Sequence, residues 1–147
     1  YVKIPIMFTN GNSTVDVIKE LASEKIKLNI TAIYLDNQIK KILPIIKNTQ
    51  TILSIFVGRI YDIGKNGSDY FNKSNKIIKA NSDCRSLWAS TRTSYDIVRA
   101  IEHKADIITM PMEQINKISN FKKDINKRSI ETVKKFYEDA IGSNYKF

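Results

Sequence analysis

The sequence predicts an α/β fold built on a parallel sheet, and three observations support this prediction. Short runs rich in isoleucine and valine alternate with amphipathic helical stretches along the whole chain. The runs are apolar on both faces, as in sheets that helices cover on both sides. One strand–helix unit recurs about every 25–30 residues, so five such units account for the 147 residues.

Five segments are predicted to form the strands, because each is short, apolar and followed by turn-forming residues. In chain order they are residues 1–7, 27–34, 51–57, 84–90 and 106–110. The first segment has Lys3 in the middle of an otherwise apolar run, which indicates a buried strand with a desolvated lysine. The alternative is an edge strand that keeps the lysine head in water.

Helices are predicted between the strands from capping residues and from apolar residues at helical spacing. Ser13 and Asp36 are expected to cap the first two helices. After the third strand, Gly58, Gly64 and Gly67 indicate a loop. The later helices are expected near residues 69–79, 93–101, 111–118 and 124–140.

Composition and charge limit the class of protein. The chain carries 24 Lys and Arg against 15 Asp and Glu, a net charge of +9. The lysines are spread over nearly every helical segment, so we expect a solvated surface and no nucleic-acid site. No apolar stretch is long enough to cross a membrane, and none resembles a secretory signal. The lone cysteine, Cys84, excludes an internal disulfide and a multi-cysteine zinc site, which favours a reducing cytoplasm.

Two arrangements of a parallel sheet fit this pattern. A doubly wound sheet is one, but no Gly-rich phosphate loop of the dinucleotide-binding kind follows a strand. A (β/α)₈ barrel is the other, and it usually takes about 250 residues. Five units would form the second part of a small barrel. Residues 1–147 are expected to form a single domain, since no linker or low-complexity segment divides them.

Polar residues within and just after the predicted strands are the candidates for chemistry, because a βα barrel has its active site at the carboxyl ends of its strands. They are Lys3, Asn29, Thr31, Ser54, Arg59, Ser90 and Arg92. Each alone has an ordinary structural interpretation as a strand former, a backbone partner or a solvated charge. Together they combine an amine nucleophile with two arginines suited to phosphate. This combination indicates carbonyl chemistry on a sugar phosphate.

The chain resembles the transaldolase family, particularly its short-chain members. The matching segments are residues 2–5, 26–34, 54–60, 62–64, 89–92 and 105–111. Their order and spacing hold across essentially the whole chain. The resemblance implies a (β/α)₈ TIM barrel of which this chain covers about strands 4 to 8 plus a C-terminal helix. The family's first three strands, with their acid–base residues, would then lie in a preceding portion of a longer protein, which is favoured over a degenerate half barrel because five strands alone would leave two parallel edges exposed.

The resemblance also implies a role for each site residue. Lys3 would be the Schiff-base lysine, and Thr31 would hold the water used in proton transfer. Asn29 and Ser54 would line the dihydroxyacetone end of the substrate together with Thr31. The phosphate would be bound by Arg59, Ser90 and Arg92. Neither a metal nor a cofactor is implied.

Phe56 bears on the reaction within the family. The close relatives that act as fructose 6-phosphate aldolases carry a tyrosine here, whose hydroxyl takes part in proton transfer, so a phenylalanine favours transaldolase. Two departures lie nearby, since Ile55 replaces a common proline and Thr91 replaces a larger apolar residue. The alternatives are a fructose 6-phosphate aldolase-like enzyme and a non-catalytic binding module on an inactive barrel. The apolar face of the C-terminal helix needs a cover. It is expected either to fold over its own barrel or, as the resemblance implies, to join the subunits of a homo-oligomer.

Overall fold

The computed structural model describes residues 1–143 and confirms the predicted parallel sheet. Its five strands are β1 (Val2–Pro5), β2 (Leu28–Ile33), β3 (Ile52–Ile55), β4 (Arg85–Trp88) and β5 (Ile107–Ile108). They are hydrogen-bonded in the order β1-β2-β3-β4-β5, and every neighbouring pair is parallel. A doubly wound sheet reverses its strand order at a switch point. The order of these five strands has no such reversal, which is the pattern of consecutive βα units in a barrel.

Helices connect the strands, and most of them lie where the sequence predicts. They are α1 (Val15–Ser23), α2 (Asp36–Ile46), α3 (Val57–Asp62), α4 (Gly67–Asn81), α5 (Asp96–Glu102), α6 (Met112–Lys117) and α7 (Ile125–Gly142). The prediction of a loop was wrong at Gly58, which lies inside the short helix α3, and at Gly67, which begins α4. Thr14 and Leu35, instead of Ser13 and Asp36, occupy the N-cap positions of α1 and α2. Each of these two boundaries therefore lies one residue from the predicted one.

The main apolar core lies between the sheet and its helices. Ile30, Leu53 and Ile55 point from the strands into this core, where they meet Phe71 of α4 and Trp88 of β4, all fully buried. The opposite face of the sheet has a smaller apolar cluster of Ile52, Leu87 and Ala89, packed against Phe56 and Ile107. Because successive strand residues alternate between faces, Asn29, Thr31 and Ser54 share that second face.

Strand β1 differs from its prediction. It pairs with β2 alone, and Val2, Lys3 and Pro5 are exposed. The prediction of a buried first strand was therefore wrong for the described residues, and the edge-strand alternative is the one observed. The reason is tertiary, because an apolar strand is buried only where neighbours cover both its edge and its face.

A β-bulge interrupts the pairing of β2 with β3 just before the carboxyl end of β2. Ile30 pairs with Leu53 and Ile33 with Ile55, so two residues of β2 oppose the single residue Ser54. One of them, Ala32, has φ of +59°, which is uncommon for a residue with a Cβ atom. Bulges of this kind re-aim side chains next to functional sites, and here the other residue of the pair is Thr31.

Helix α7 projects an apolar face that the rest of the described chain does not cover. Ile130, Val133, Phe136, Tyr137 and Ile141 are each between 57% and 67% exposed. Asp124 caps the helix by accepting a hydrogen bond from the Lys127 backbone at 2.8 Å. None of the helices between residues 1 and 143 combines the length and hydropathy needed to span a membrane.

Candidate active site

A pocket of about 250 Å³ opens at the carboxyl ends of the strands, on the face of the sheet opposite the main core. It is lined by Lys3, Asn29, Thr31, Ser54, Phe56, Arg59, Leu87, Ala89, Ser90 and Thr109. Seven of the eight site residues predicted from the sequence are among these, and only Arg92 is not. The lining includes two cationic side chains and no carboxylate, so the pocket favours an anionic ligand.

Lys3 brings an amine to this pocket from β1. The strand register sets Lys3 directly opposite Asn29 of β2, so both side chains leave the sheet on the same face. In the described residues the lysine is exposed. A primary amine on a rigid strand beside hydrogen-bonding side chains has the arrangement needed for addition to a carbonyl.

Asn29 and Ser54 form a hydrogen-bonded pair at the base of the pocket. The buried Ser54 hydroxyl donates to Asn29 Oδ1 at 2.6 Å. This contact orients the amide and leaves its NH₂ group as the donor available to a ligand. A hydroxyl or carbonyl oxygen of a substrate is the natural acceptor for that group.

Thr31 holds a buried hydroxyl without a partner. The side chain is 9% exposed, and its Oγ1 has no hydrogen bond to any other described residue. A buried polar atom of this kind costs free energy unless a water or a ligand satisfies it. Since Thr31 lines the pocket, its hydroxyl is placed to bind a water molecule or a substrate oxygen.

Phe56 and Arg59 form the wall next to β3. Phe56 follows β3 directly and occupies the N-cap position of α3, and Arg59 lies within that helix. The guanidinium carbon of Arg59 is 5.6 Å from the centre of the Phe56 ring, within range of a cation–π contact. The ring restrains the arginine at the pocket edge and offers no hydroxyl for proton transfer.

Gly58 allows α3 to approach the end of β4 very closely. A Cβ atom at this position would lie 1.5 Å from the Ser90 carbonyl oxygen and 3.2 Å from Cγ of Arg92. Ser90 itself has φ of +64°, in the left-handed region. The contact brings Arg59 on α3 and Ser90 after β4 to one side of the pocket, and only glycine permits it.

Arg92 lies next to the pocket and is held by an aspartate that sequence reasoning assigned no role. Its Nε donates to Asp62 Oδ1 at 2.7 Å, and its Nη2 donates to Asp62 Oδ2 at 2.5 Å. The hydrogen bonds from Arg92 lower the pKa of Asp62, and the same pairing raises the pKa of Arg92. Asp62 begins residues 62–64, one of the segments that carry the family resemblance. A carboxylate in such a segment is the sequence signal that could have identified it as a site residue.

A second unassigned aspartate, Asp96, holds the backbone of the turn that carries Arg92. Its fully buried carboxylate accepts from the Arg92 N–H at 2.7 Å and from the Thr93 N–H at 2.9 Å. The helix that the sequence predicts near residues 93–101 begins at Asp96. An aspartate in the first turn of a helix is itself a signal for backbone capping.

Larger surface cavities lie elsewhere, among the helices. One of about 580 Å³ lies beside α4 and the residues that precede β5, and another of about 480 Å³ lies between α2 and α4. Both are at the amino ends of the strands, away from the edge where parallel α/β folds bind their substrates. In residues 1–143 no group of three or more His, Cys, Asp or Glu side chains is arranged to hold a metal ion.

Comparison with known proteins gives the chain its family. The family model described as Transaldolase/Fructose-6-phosphate aldolase matches residues 1–145. Proteins named probable transaldolase are similar to it from Clostridioides difficile (32% identity over 95% of this chain and 61% of the relative), Brachyspira hyodysenteriae (30%, over 96% and 61%) and Caldicellulosiruptor saccharolyticus (35%, over 80% and 52%). The chain thus spans between about half and three-fifths of the length of these relatives. With a parallel sheet in consecutive order and a polar pocket at its carboxyl edge, the chain belongs to the transaldolase/fructose-6-phosphate aldolase family.

Proposed function

We propose that the protein is a transaldolase, which transfers a dihydroxyacetone unit between sugar phosphates through a Schiff base on Lys3. This is carbohydrate chemistry of the pentose phosphate pathway type. The observation that carries the proposal is the single pocket shared by Lys3, the Asn29–Ser54 pair, Thr31 and Arg59. The relatives named probable transaldolase support it.

The proposal assigns β1–β5 to strands 4 to 8 of an eight-stranded barrel, with α7 as the helix that follows it. The consecutive parallel order of the strands supports this assignment. In such a barrel, a third strand would pair with the free edge of β1 and cover Lys3. The lysine would then lose water, which favours the neutral amine that attacks a carbonyl.

The chemistry follows from an amine beside a bound ketose phosphate. The neutral amine of Lys3 adds to the ketose carbonyl, and loss of water gives an iminium. The bond between C3 and C4 breaks, its electron pair moves toward the positive nitrogen, and the aldose phosphate leaves after giving up its hydroxyl proton. Thr31 holds the water that takes this proton, and Asn29 donates to a hydroxyl of the three-carbon unit. Addition to a second aldose phosphate and hydrolysis of the new iminium release the product and regenerate Lys3.

The phosphate of the substrate binds on the other side of the pocket in this proposal. Arg59, Ser90 and Arg92 supply the donors, and charge-assisted hydrogen bonds from arginine are the strong contacts that phosphate recognition uses. The excess of positive charge in the pocket lining supports this role.

Phe56 favours transfer over cleavage. A ring without a hydroxyl supplies no acid beside the three-carbon carbanion, so the intermediate persists until an aldose acceptor arrives. The fructose 6-phosphate aldolase activity in the family's description is the alternative that this residue argues against.

A second candidate function, a non-catalytic module that binds sugar phosphates, is favoured by one observation. Lys3 is exposed in the described residues, whereas nucleophilic lysines are typically activated by desolvation in an apolar pocket or by a neighbouring cation. The two functions share the phosphate contacts and differ only in covalent chemistry at Lys3.

The proposal also includes self-association of the chain into a homo-oligomer and a cytoplasmic location. The uncovered apolar face of α7 supports a homo-oligomer, because an apolar stripe of this size on one helix requires a cover. The one cysteine, Cys84, is a free and buried thiol, which suits a reducing cytoplasm.

Borohydride trapping tests the proposal most directly. With dihydroxyacetone or fructose 6-phosphate present, reduction should fix the sugar on the peptide that contains Lys3, and mass spectrometry locates the adduct. Lys3→Arg should abolish the adduct. Lys27→Arg is the matched control, because it makes the same change at an exposed lysine that precedes the amino end of β2, and it should leave the adduct intact. Binding of fructose 6-phosphate with no adduct would support the non-catalytic module instead.

A further inference from the structure

The two edges of the Arg92 guanidinium have different surroundings. Arginine can bind an anion with two parallel N–H bonds through its Nε–Nη2 edge or its Nη1–Nη2 edge. Asp62 occupies the first edge with both of its oxygens. At the other end, Nη1 donates to Ser90 Oγ at 3.0 Å, to the Ser90 carbonyl at 3.1 Å and to the Thr91 carbonyl at 3.4 Å. Because Ser90 lines the pocket, the Nη1 end is the one next to the pocket.

The backbone and the side chain of Arg92 are fixed by different aspartates. Asp96 is fully buried and holds the backbone N–H of Arg92. Asp62 lies at the end of α3 and holds only the guanidinium, with the side chains of Asp62 and Arg92 48% and 40% exposed. Exposed ion pairs in general contribute little to folding stability, whereas the two-bond pairing of an arginine with a carboxylate adds a defined geometry.

We propose that Asp62 is a positioning residue that holds one edge of Arg92 and so keeps the guanidinium beside Ser90, at the phosphate side of the pocket. This inference rests on the phosphate role of Arg92 in the proposed function. Without Asp62, the long arginine side chain samples other rotamers, and ordering it again opposes phosphate binding.

The direction in which phosphate affinity changes when Asp62 is removed distinguishes a positioning role from a purely electrostatic one. Removal of a negative charge next to a phosphate site strengthens anion binding if charge alone matters. Removal of a positioning group weakens it. Asp62→Ala therefore has opposite expected outcomes under the two interpretations, and Asp62→Asn, which keeps one acceptor oxygen, tests whether geometry can be rescued without the charge.

The experiment measures binding of inorganic phosphate by calorimetry or NMR titration, together with KM and kcat for fructose 6-phosphate. The proteins are the unmodified chain, Asp62→Ala, Asp62→Asn, Arg92→Ala and the double variant Asp62→Ala/Arg92→Ala. Asp83→Asn is the matched charge control, because Asp83 is exposed and precedes the amino end of β4. Borohydride trapping with dihydroxyacetone, which has no phosphate, is measured on every protein.

Asp62→Ala should raise the phosphate dissociation constant and KM roughly 5- to 10-fold, against about 10- to 100-fold for Arg92→Ala. Trapping of dihydroxyacetone by Asp62→Ala should stay within about two-fold of that by the unmodified chain, because dihydroxyacetone has no phosphate. Asp62→Asn should have a phosphate dissociation constant and KM between those of the unmodified chain and Asp62→Ala. The double variant Asp62→Ala/Arg92→Ala should bind phosphate no more weakly than Arg92→Ala alone.

Tighter phosphate binding by Asp62→Ala, or equal losses in both Arg92 backgrounds, would overturn the positioning role. Absence of phosphate binding by the unmodified chain would overturn it as well. If the unmodified chain gave no borohydride adduct at Lys3 but the phosphate titrations gave the expected differences, the transaldolase proposal would be refuted and the role of Asp62 would stand.

Discussion

Gly58→Ala should disrupt the contact between α3 and the end of β4, because no space exists for a methyl group there. The added Cβ would lie 1.5 Å from the Ser90 carbonyl oxygen and 2.7 Å from the Ser90 carbonyl carbon. Contacts of Cβ atoms below about 3.0 Å essentially never occur, so the two segments must separate by about 1.5 Å. Both partners are backbone atoms, so rotation of a side chain cannot relieve the clash.

Gly58→Ala is expected to have two effects, one on stability and one on catalysis. Overpacking of this kind lowers the free energy of unfolding by about 1–3 kcal/mol. A displacement of about 1 Å near a site reduces kcat/KM roughly 100-fold, and here it separates Arg59 from Ser90 and Arg92. The loss should be much larger for fructose 6-phosphate than for dihydroxyacetone trapping, because the moved residues are those proposed to bind phosphate.

Urea unfolding and steady-state kinetics measure the two effects. Gly142→Ala is the control, because this helical glycine has ordinary backbone angles and no atom of residues 1–143 lies within 4 Å of the added methyl group. It should leave activity unchanged and stability equal or slightly higher. Wild-type stability and wild-type kcat/KM in Gly58→Ala would refute the reasoning that this close approach builds the phosphate side of the pocket.

Three further predictions concern the reaction, the fold at low pH and the assembly. Phe56→Tyr should raise release of free dihydroxyacetone relative to transfer by roughly 10-fold or more, because it supplies an acid beside the carbanion; an unchanged product ratio would argue against this role. Burial alone would raise the pKa of Asp106, but hydrogen bonds from Lys79 and Ser86 outweigh it and lower this pKa. Asp106→Asn should therefore lower the free energy of unfolding at pH 7 by about 1–2 kcal/mol. The contribution of Asp106 to the free energy of unfolding is complete above the unfolded-state pKa of about 3.9 and is lost as the pH falls through the lower folded-state pKa. The urea midpoints of the unmodified chain and of Asp106→Asn should therefore converge below about pH 4. A constant difference between the midpoints across that range would contradict the assignment. Removal of all residues after Asn126 should shift the protein to smaller species in sedimentation, whereas an unchanged oligomer would exclude α7 as the joining element.

Local patterns predicted the strands and most helices because their signals lie within a few residues. Apolar runs with turn residues at their ends located all five strands, and six of the seven polar candidates within or just after these strands line the pocket. The short helix α3 escaped prediction, since it has six residues and contains Gly58. A helix of this length depends on its packing against β4 and not on its own propensity.

The amino-acid sequence alone determined the parallel α/β class, the order of the βα units and the residues that gather at the carboxyl edge, because side-chain alternation and strand direction follow from the local backbone. Tertiary structure decided how those residues are held. It left Lys3 on an exposed edge strand, joined Ser54 to Asn29, and paired Arg92 with Asp62, a residue 30 positions away. The physical reason is that burial and the choice of a hydrogen-bond partner depend on which segments pack together, and that information is not contained in the spacing of residues along one segment.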